Sequence, residues 1–128
     1  MSTFAGLAAL VVLAAPATPP PSAVALLSAL ESGDLAAARA TLADEVAIMD
    51  SSSGTDVRSS IEALAPYARG CARSDLSWEY DADDSARAAV TATWTCPSHA
   101  PGRAFVWTAG ARVVWVQFGM SPAAPPGQ

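Results

Sequence analysis

The sequence predicts an α+β domain in which three N-terminal helices pack on one face of a curved antiparallel sheet. Two observations carry this prediction. Apolar residues recur at helical spacing as far as Ala68, and from Asp75 onward the period changes to two, as in strands. The 128 residues, of which 52% are hydrophobic, suit a single domain and exclude a chain that is disordered throughout. We therefore expect helices and sheet to enclose a conical cavity.

The first two helices are predicted on either side of Gly33. Ser22 is the expected N-cap of a helix over residues 22–32. Its apolar stripe has the spacing i, i+3, i+4, i+7 and consists of Ala23, Leu26, Leu27 and Leu30. Gly33 is expected to end that helix, and Asp34 to cap a second helix over residues 35–42. The preceding residues 18–21 are predicted to form an extended Pro-rich leader.

A short strand and a third helix are predicted next. The strand covers residues 46–50 and ends at Asp50. The helix is expected to begin at residue 55 or 56, with an apolar face made of Val57, Ile61, Leu64 and Ala68. Pro66 is expected to kink this helix or to end its regular part at Ala65.

The remainder is predicted to form four strands in two hairpins. Strand patterning covers residues 75–81, 87–96, 103–108 and 111–118. The first pair turns at residues 82–85 and the last pair at Ala109-Gly110. Shared faces are predicted for Leu76, Trp78 and Tyr80 in one strand, and for Val90, Ala92 and Trp94 in the next. The domain thus spans residues 22–120, and the Pro-rich tail at residues 121–128 is expected to be disordered.

The N-terminal residues predict export. Residues 4–15 form a 12-residue apolar run that leads into Ala15-Pro16-Ala17, a small-x-small sequence. This pattern is typical of a signal peptide, here residues 1–17, cleaved after Ala17. A helix of this length rises about 18 Å, against roughly 30 Å of hydrocarbon, so a permanent membrane span is not predicted. We therefore predict a secreted or periplasmic mature protein that is not attached to the membrane. Because no basic side chain precedes Phe4, an uncleaved anchor or a wrongly assigned start are the alternatives.

The charge balance excludes nucleic acid as a partner. The chain has 12 Asp or Glu, seven Arg and no Lys, and its formal net charge at pH 7 is −5. Seven scattered arginines cannot build a basic patch for a phosphate backbone. The sequence has no glycine-rich phosphate loop, and one His with two cysteines makes no conventional zinc site. Neither a cofactor nor a metal is therefore predicted.

Two polar features invite a functional interpretation that the sequence does not support. Asp81, Asp83 and Asp84 cluster as in a calcium loop, but the Gly and terminal Glu of that motif are missing. His99 has no nucleophile elbow to accompany it, so a hydrolase triad is not indicated. We interpret the first as an acidic hairpin turn and the second as a loop residue.

Cys71 and Cys96 are predicted to form a disulfide. If the hairpin turns at residues 82–85, directly opposed residues have numbers that sum to 167, and the two cysteines meet this condition. Opposed Cβ atoms lie roughly 4.5–5.5 Å apart, near disulfide range. The same register places Trp78 and Trp94 on opposite faces, and a single β-bulge would bring both inward. That bulge would shift the cysteines by one place, which slack at the open end of the hairpin can absorb.

The order of segments over residues 22–120 resembles the nuclear transport factor 2-like superfamily, also called SnoaL-like, which has the cystatin-like cone of ketosteroid isomerase. The resemblance is strongest at residues 30–64. It is carried by S-G-D-L-A-A-A at a helix break, A-D-E-V-A-I-M-D through the first strand, and G-T-D-V-R-S-S-I at a helix opening. It implies a cone-shaped α+β barrel, often dimeric, with a pocket between the long helix and the concave face of the sheet.

The resemblance also implies one candidate catalytic residue. Asp50 stands where isomerase-like members carry the Asp that moves a proton at carbon, and a carboxylate that faces an apolar cavity is a usable base. Such a base needs donors for the enolate oxygen, which those members supply from a Tyr and an acid. Leu26 and a position near Arg103 stand in those places. Asp50 is therefore either a catalytic base or a carboxylate that caps the loop after its strand.

The aromatic residues leave three functions open. The first, which the sequence favours, is non-catalytic binding of a small hydrophobic ligand in an apolar pocket made of Tyr67, Trp78, Tyr80 and Trp94. The second is an isomerase- or cyclase-type enzyme with Asp50 as base and one of the two tyrosines as donor. The third is a homodimerisation or protein-interaction module whose outer sheet face includes Trp107 or Trp115.

Overall fold

A computed structural model describes residues 18–97 and 100–120. Within them the helices are α1 (Pro21–Ser32), α2 (Leu35–Ala40) and α3 (Ile61–Ala68). The strands are β1 (Leu42–Asp50), β2 (Val57–Arg58), β3 (Ala72–Tyr80), β4 (Arg87–Thr95), β5 (Gly102–Ala109) and β6 (Arg112–Met120). The predicted signal peptide, His99 and the predicted tail lie outside the described residues. In the described part of the chain, every helix is too short or too polar to cross a bilayer.

The helices pack on one face of a curved, unclosed six-stranded sheet with the strand order β2-β1-β6-β5-β4-β3. This confirms the predicted α+β class. The sheet is mixed, however, where the sequence predicted an antiparallel one, because β1 runs parallel to β6. The Val113 N–H donates to the Thr41 carbonyl at 2.9 Å, so the chain enters β1 beside the start of β6 and both strands then run the same way.

Helix α1 lies where its apolar stripe predicted it. The four residues of the stripe are buried against the sheet: Ala23, Leu26, Leu27 and Leu30. Gly33 ends the helix with φ at 80°, a left-handed conformation that glycine adopts without strain. Ser22 is not the N-cap that the sequence predicted. The helix begins at Pro21, because the first position of a helix needs no N–H donor and therefore suits proline. Pro20 occupies the N-cap position before it.

Helix α2 is capped as predicted and ends earlier than predicted. The Asp34 carboxylate accepts a hydrogen bond from the Ala37 N–H at 3.0 Å. The helix ends at Ala40 because Leu42 already pairs with Val113 in the sheet. Strand β1 is accordingly four residues longer at its start than the predicted strand.

An ion pair joins α2 to α3. Arg39 Nε donates to Glu62 Oε2 at 3.0 Å, with both side chains about half exposed. Hydrogen bonds from the Arg39 guanidinium hold the pKa of Glu62 below its ordinary value. The pKa of Glu62 is lower in the folded state than in the unfolded state, so the ion pair stabilises the fold at pH values above the unfolded-state pKa. That contribution is lost as the pH falls through the folded value. Solvent screening keeps it small.

The third helix begins later than predicted. Residues Val57–Arg58 form strand β2 on the edge of β1, and Val57 is 54% exposed rather than part of an apolar helix face. Helix α3 starts at Ile61, where Ser60 Oγ accepts from the Ala63 N–H. Pro66 does not end it at Ala65. An eight-residue helix has few internal hydrogen bonds for a proline to remove, and it continues to Ala68.

The β3–β4 hairpin combines two registers. Near the turn, opposed residues have numbers that sum to 168, as for Trp78 and Val90, and beyond a bulge at Ser74 they sum to 167. The predicted bulge is confirmed, and its position inside β3 leaves the cysteines in register. Cys71 and Cys96 form the predicted disulfide, with their Cα atoms 4.2 Å apart.

Candidate functional site

The inner face of the sheet is the surface that covers the core. Even-numbered residues of β4 and β5 point toward the helices and are buried, and Trp94 is 0% exposed. Phe118 of β6 is also fully buried. These two rings belong to the same buried core as the leucines of α1, between the helices and the sheet.

A polar network anchors Trp94 to helix α1. Trp94 Nε1 donates to Glu31 Oε2 at 2.8 Å, and Arg73 Nε lies 2.8 Å from the same oxygen. Arg73 also donates to Ser28 Oγ at 2.9 Å. The bulge at Ser74 creates this arrangement, because it turns Arg73 from the outer face of β3 to the face that carries the helices. A charge that is mostly shielded from water is thereby paired.

Of the four aromatic residues predicted to form a pocket, Trp78, Tyr80 and Trp94 lie on the inner face of the sheet and Tyr67 lies on α3. Trp94 is in the core, and Trp78 is partly buried on the same face, opposite Val90. The Tyr80 hydroxyl donates to the Thr18 carbonyl at 3.1 Å, and Tyr80 lines a cavity at the turn end of β3. Tyr67 of α3 is 40% exposed, with its ring 6.3 Å from that of Phe118.

Asp50 lies at the end of β1, on the helix side of the sheet, between Val57 and Phe118 of the neighbouring strands. Its Oδ1 accepts a hydrogen bond from the Ser52 N–H at 2.8 Å, which closes the first turn of the following loop. Asp50 and Tyr67 thus both neighbour Phe118. The hydrogen bond that the carboxylate makes is nevertheless that of a loop cap.

The loop-cap interpretation gives a stability prediction for Asp50. Replacing Asp50 with alanine lowers the free energy of unfolding by about 1 kcal/mol, because the Ser52 N–H loses its acceptor. Asp50→Asn is the matched control and changes the stability little, since the amide oxygen still accepts. Urea denaturation followed by tryptophan fluorescence measures both. Equal stability of the alanine and asparagine variants would contradict the interpretation.

The outer face of the sheet carries an aromatic cluster, which we define as Phe105, Trp107 and Trp115. The Phe105 and Trp107 rings stack with centroids 6.0 Å apart, and Trp107 meets Trp115 edge to face at 6.1 Å. Trp107 and Trp115 are directly opposed across β5 and β6, the two central strands. All three side chains are half-buried. In the described part of the chain, the helices lie on the opposite face and leave this cluster uncovered.

Two cavities adjoin the aromatic cluster, and both are lined by Trp107. One, of about 360 Å³, lies at the turn end of β3, β4 and β5, where Glu79, Tyr80, Asp81 and Arg87 contribute to its walls. The other, of about 400 Å³, is an open depression at Trp107, Trp115 and Gln117. Among the described residues, no three His, Cys, Asp or Glu side chains converge as metal ligands. Both cavities thus meet at Trp107.

Comparison with known proteins identifies the architecture. No protein-family model matches the chain, and no curated protein matches it by sequence. Solved structures do match it over most of its length. A nuclear transport factor 2-like protein of unknown function from Shewanella baltica is 11% identical, with a TM-score of 0.57 over 80% of this chain and 90% of that one. A "putative polyketide cyclase" from Pseudomonas putida is 20% identical, with a TM-score of 0.53 over 80% and 91%.

The chain has the nuclear transport factor 2-like fold. The chain is also similar in structure to part of the Orange Carotenoid Protein of Anabaena, solved with bound canthaxanthin. That protein is 9% identical, with a TM-score of 0.59 over 84% of this chain and 37% of the other. At these identities the comparisons show the nuclear transport factor 2-like fold alone, and the function has to be argued from this chain's own residues.

Sequence reasoning found part of the candidate site. It offered Trp107 or Trp115 as part of an outer face that binds a partner and left the inward and outward faces of the strands open. It did not place Phe105 beside them. The signal for Phe105 was the two-residue alternation that it shares with Trp107 in β5. For β6 the alternation alone misleads, because a register shift near Val114 changes which residues face outward.

Proposed function

We propose that this protein is an exported, non-catalytic domain that functions as a homodimer, with the outer sheet faces of two copies packed together. The aromatic cluster carries the proposal. It lies at the centre of the six-stranded sheet, points away from the helices and bears no formal charge. Half-buried tryptophans at the centre of a surface patch are typical of protein interfaces.

A second copy is the occupant that suits this surface. The cluster offers flat aromatic faces and edges, and the same groups on another copy match them by stacking and edge-to-face contacts. An identical patch on both subunits is also the usual basis of a two-fold dimer. The burial of Trp94 and Phe118 in the core, away from solvent, supports the same choice.

The disulfide supports export. Cys71 and Cys96 are bonded, and disulfides of this kind persist in secreted and periplasmic proteins rather than in the reducing cytosol. Export also agrees with the apolar run at residues 4–15. Intact-mass analysis of protein recovered from the periplasm of a bacterial host measures both properties. The expected product lacks residues 1–17 and is about 2 Da lighter than the reduced chain.

Replacing Trp107 with threonine tests the proposed interface. The dissociation constant of the dimer should rise about 100-fold or more, because each copy loses a central aromatic contact and threonine still suits a strand. Size-exclusion chromatography with light scattering, over a range of concentrations, measures the change. Tyr67→Ala is the matched control, since it removes an exposed aromatic side chain from the helix side and leaves association unchanged. A Trp107 variant that dimerises like the unmodified protein would disprove the proposal.

A small apolar ligand is the second candidate, and the 360 Å³ cavity lined by Tyr80 and Trp107 favours it. The carotenoid-binding neighbour supports it only at the level of the fold. A native mass spectrum of the exported protein distinguishes the two candidates. A dimer without added mass is the result expected for the homodimer. A monomer that retains a small molecule would favour the ligand.

A further inference from the structure

The residues that follow β6 have a composition that suits an aromatic surface. Residues 121–128, which we call the tail, lie outside the described residues, and their sequence is SPAAPPGQ, with three prolines and no charged side chain. Proline-rich segments bind grooves lined by aromatic rings, because their extended helix is largely formed before binding and little conformational entropy is lost. The tail therefore matches the chemistry of the aromatic cluster.

The aromatic cluster also has the hydrogen-bond donors that such a segment requires. A proline-rich helix makes no internal hydrogen bonds, so its carbonyl oxygens need donors from elsewhere. In the part of the chain that the structure describes, the indole N–H groups of Trp107 and Trp115 have no hydrogen-bond partner. Both tryptophans line the open depression of about 400 Å³. Each ring therefore offers an apolar face for a proline and a donor for a carbonyl oxygen.

The path from the end of β6 to this depression is short. The strand ends at Met120, and Trp115 lies five residues earlier in it, a distance of about 17 Å. Ser121-Pro122 comes next, and a Ser-Pro step favours a turn. The residues after that turn rise roughly 3.1 Å each in a proline-rich helix. A tail that reverses its direction there brings Pro125-Pro126 over Gln117 and Trp115.

One side of this path is closed by the loop between β1 and β2. A Cβ atom at Gly119 of β6 would lie 3.1 Å from Ser51 Oγ, so this loop lies against the end of the strand. Gln117 Nε2 also donates to Asp56 Oδ1 of the same loop at 3.5 Å. On the other side of β6, Phe105 is directly opposed to Gln117 and is half-buried. A chain that turns back from β6 is therefore directed toward the aromatic cluster rather than toward β1.

We propose that the tail folds back over β6 and binds the aromatic cluster of the same chain, with Pro125-Pro126 on the rings of Trp107 and Trp115. The contact goes beyond the proposed function, and only its effect on the dimer rests on that function. Because the tail and a second copy use the same surface, the dimer forms only when both tails are displaced. A tail that covers the cluster in about two thirds of the molecules raises the apparent dissociation constant about nine-fold, the square of three.

Removal of residues 121–128 tests the contact in the monomer. Acrylamide quenching of tryptophan fluorescence is measured far below the dimer dissociation constant, and it should increase about two-fold on removal. The increase comes from Trp107 and Trp115, which lose their cover, whereas Trp94 stays buried in the core. Trp107→Thr combined with Trp115→Thr is the matched control. In that protein, folded by circular dichroism, removal of the tail should leave the quenching unchanged.

Two double substitutions test whether the prolines carry the contact. Pro125→Ser with Pro126→Ser should reproduce both effects of removal, namely more quenching and a dimer dissociation constant about ten-fold lower. Ala123→Ser with Ala124→Ser is the matched control, because it adds two serines to the same segment and keeps every proline. That variant should behave like the unmodified protein in both measurements.

The outcomes distinguish the tail contact from the proposed dimer. Unchanged quenching after removal of the tail would overturn the inference and leave the cluster free for a second copy. A dimer that becomes weaker on removal would also overturn it, because the tail would then be part of the interface. Increased quenching in a protein that stays monomeric at high micromolar concentration would support the tail contact and refute the dimer.

Discussion

Replacing Glu31 with leucine should lower the free energy of unfolding by about 3–4 kcal/mol. Glu31 accepts from both Trp94 Nε1 and Arg73 Nε, and the Glu31 side chain is only 16% exposed. Leucine preserves most of the volume and removes both hydrogen bonds. The Arg73 side chain, 24% exposed, then keeps its charge without the carboxylate, which accounts for most of the cost.

Two further variants separate the charge from the hydrogen bond. Glu31→Gln retains an acceptor for Trp94 and should cost less than the leucine variant. Adding Arg73→Leu to Glu31→Leu removes the unpaired cation and should recover part of the loss. Urea denaturation measures all three free energies of unfolding. If Glu31→Leu costs less than about 0.5 kcal/mol, as a typical surface change does, the network contributes no stability and this account of Trp94 is wrong.

Replacing both cysteines with alanine should lower the free energy of unfolding by about 3 kcal/mol. The Cys71–Cys96 bond closes a segment of 25 residues, and a cross-link of that span restricts the unfolded chain by about this amount. The effect on the folded state should be small, because the two Cα atoms already lie close together in the register set by β3 and β4.

The double alanine variant should have the same free energy of unfolding as the unmodified protein whose disulfide has been reduced by a thiol. This comparison is the control for the loss of side-chain packing. Thermal and urea unfolding, each with and without reductant, measure the difference. The alanine variant should show no response to the reductant. If the unmodified protein were equally insensitive, the bond would not be formed in the exported chain, and the structural basis for its export would be lost.

The sequence predicted those features that depend on local spacing. The apolar stripe of α1 and the glycine that ends it are set within a few residues, and both are confirmed. The disulfide was also predicted from a hairpin register, although the observed register near the turn differs by one residue and the bulge at Ser74 restores it at the cysteines. Each of these features depends on one element or on one hairpin.

The sequence failed where a distant segment decides the local structure. Val57 has the spacing of a helix face, but it pairs with the end of β1 and becomes part of an edge strand, so helix α3 starts at Ile61. The direction of β1 against β6 likewise depends on segments more than 60 residues apart. Sequence periodicity carries no information about such pairings.

The candidate site was predictable only in part for the same reason. Alternation in β5 assigns Phe105 and Trp107 to one face, but which face the helices cover depends on the whole sheet. The network of Trp94, Glu31 and Arg73 depends on a bulge whose position the sequence does not specify. The burial of Trp94 in the core and its hydrogen bond to Glu31 were therefore not predicted.

Sedimentation equilibrium of the unmodified protein beside Trp107→Thr tests the central claim most directly, namely that the outer face of the sheet binds a second copy. The account predicts that the unmodified protein has the mass of two chains at micromolar concentration. The threonine variant should have the mass of one chain while remaining folded by circular dichroism. An unmodified protein that sediments as a single chain up to high micromolar concentration would contradict it.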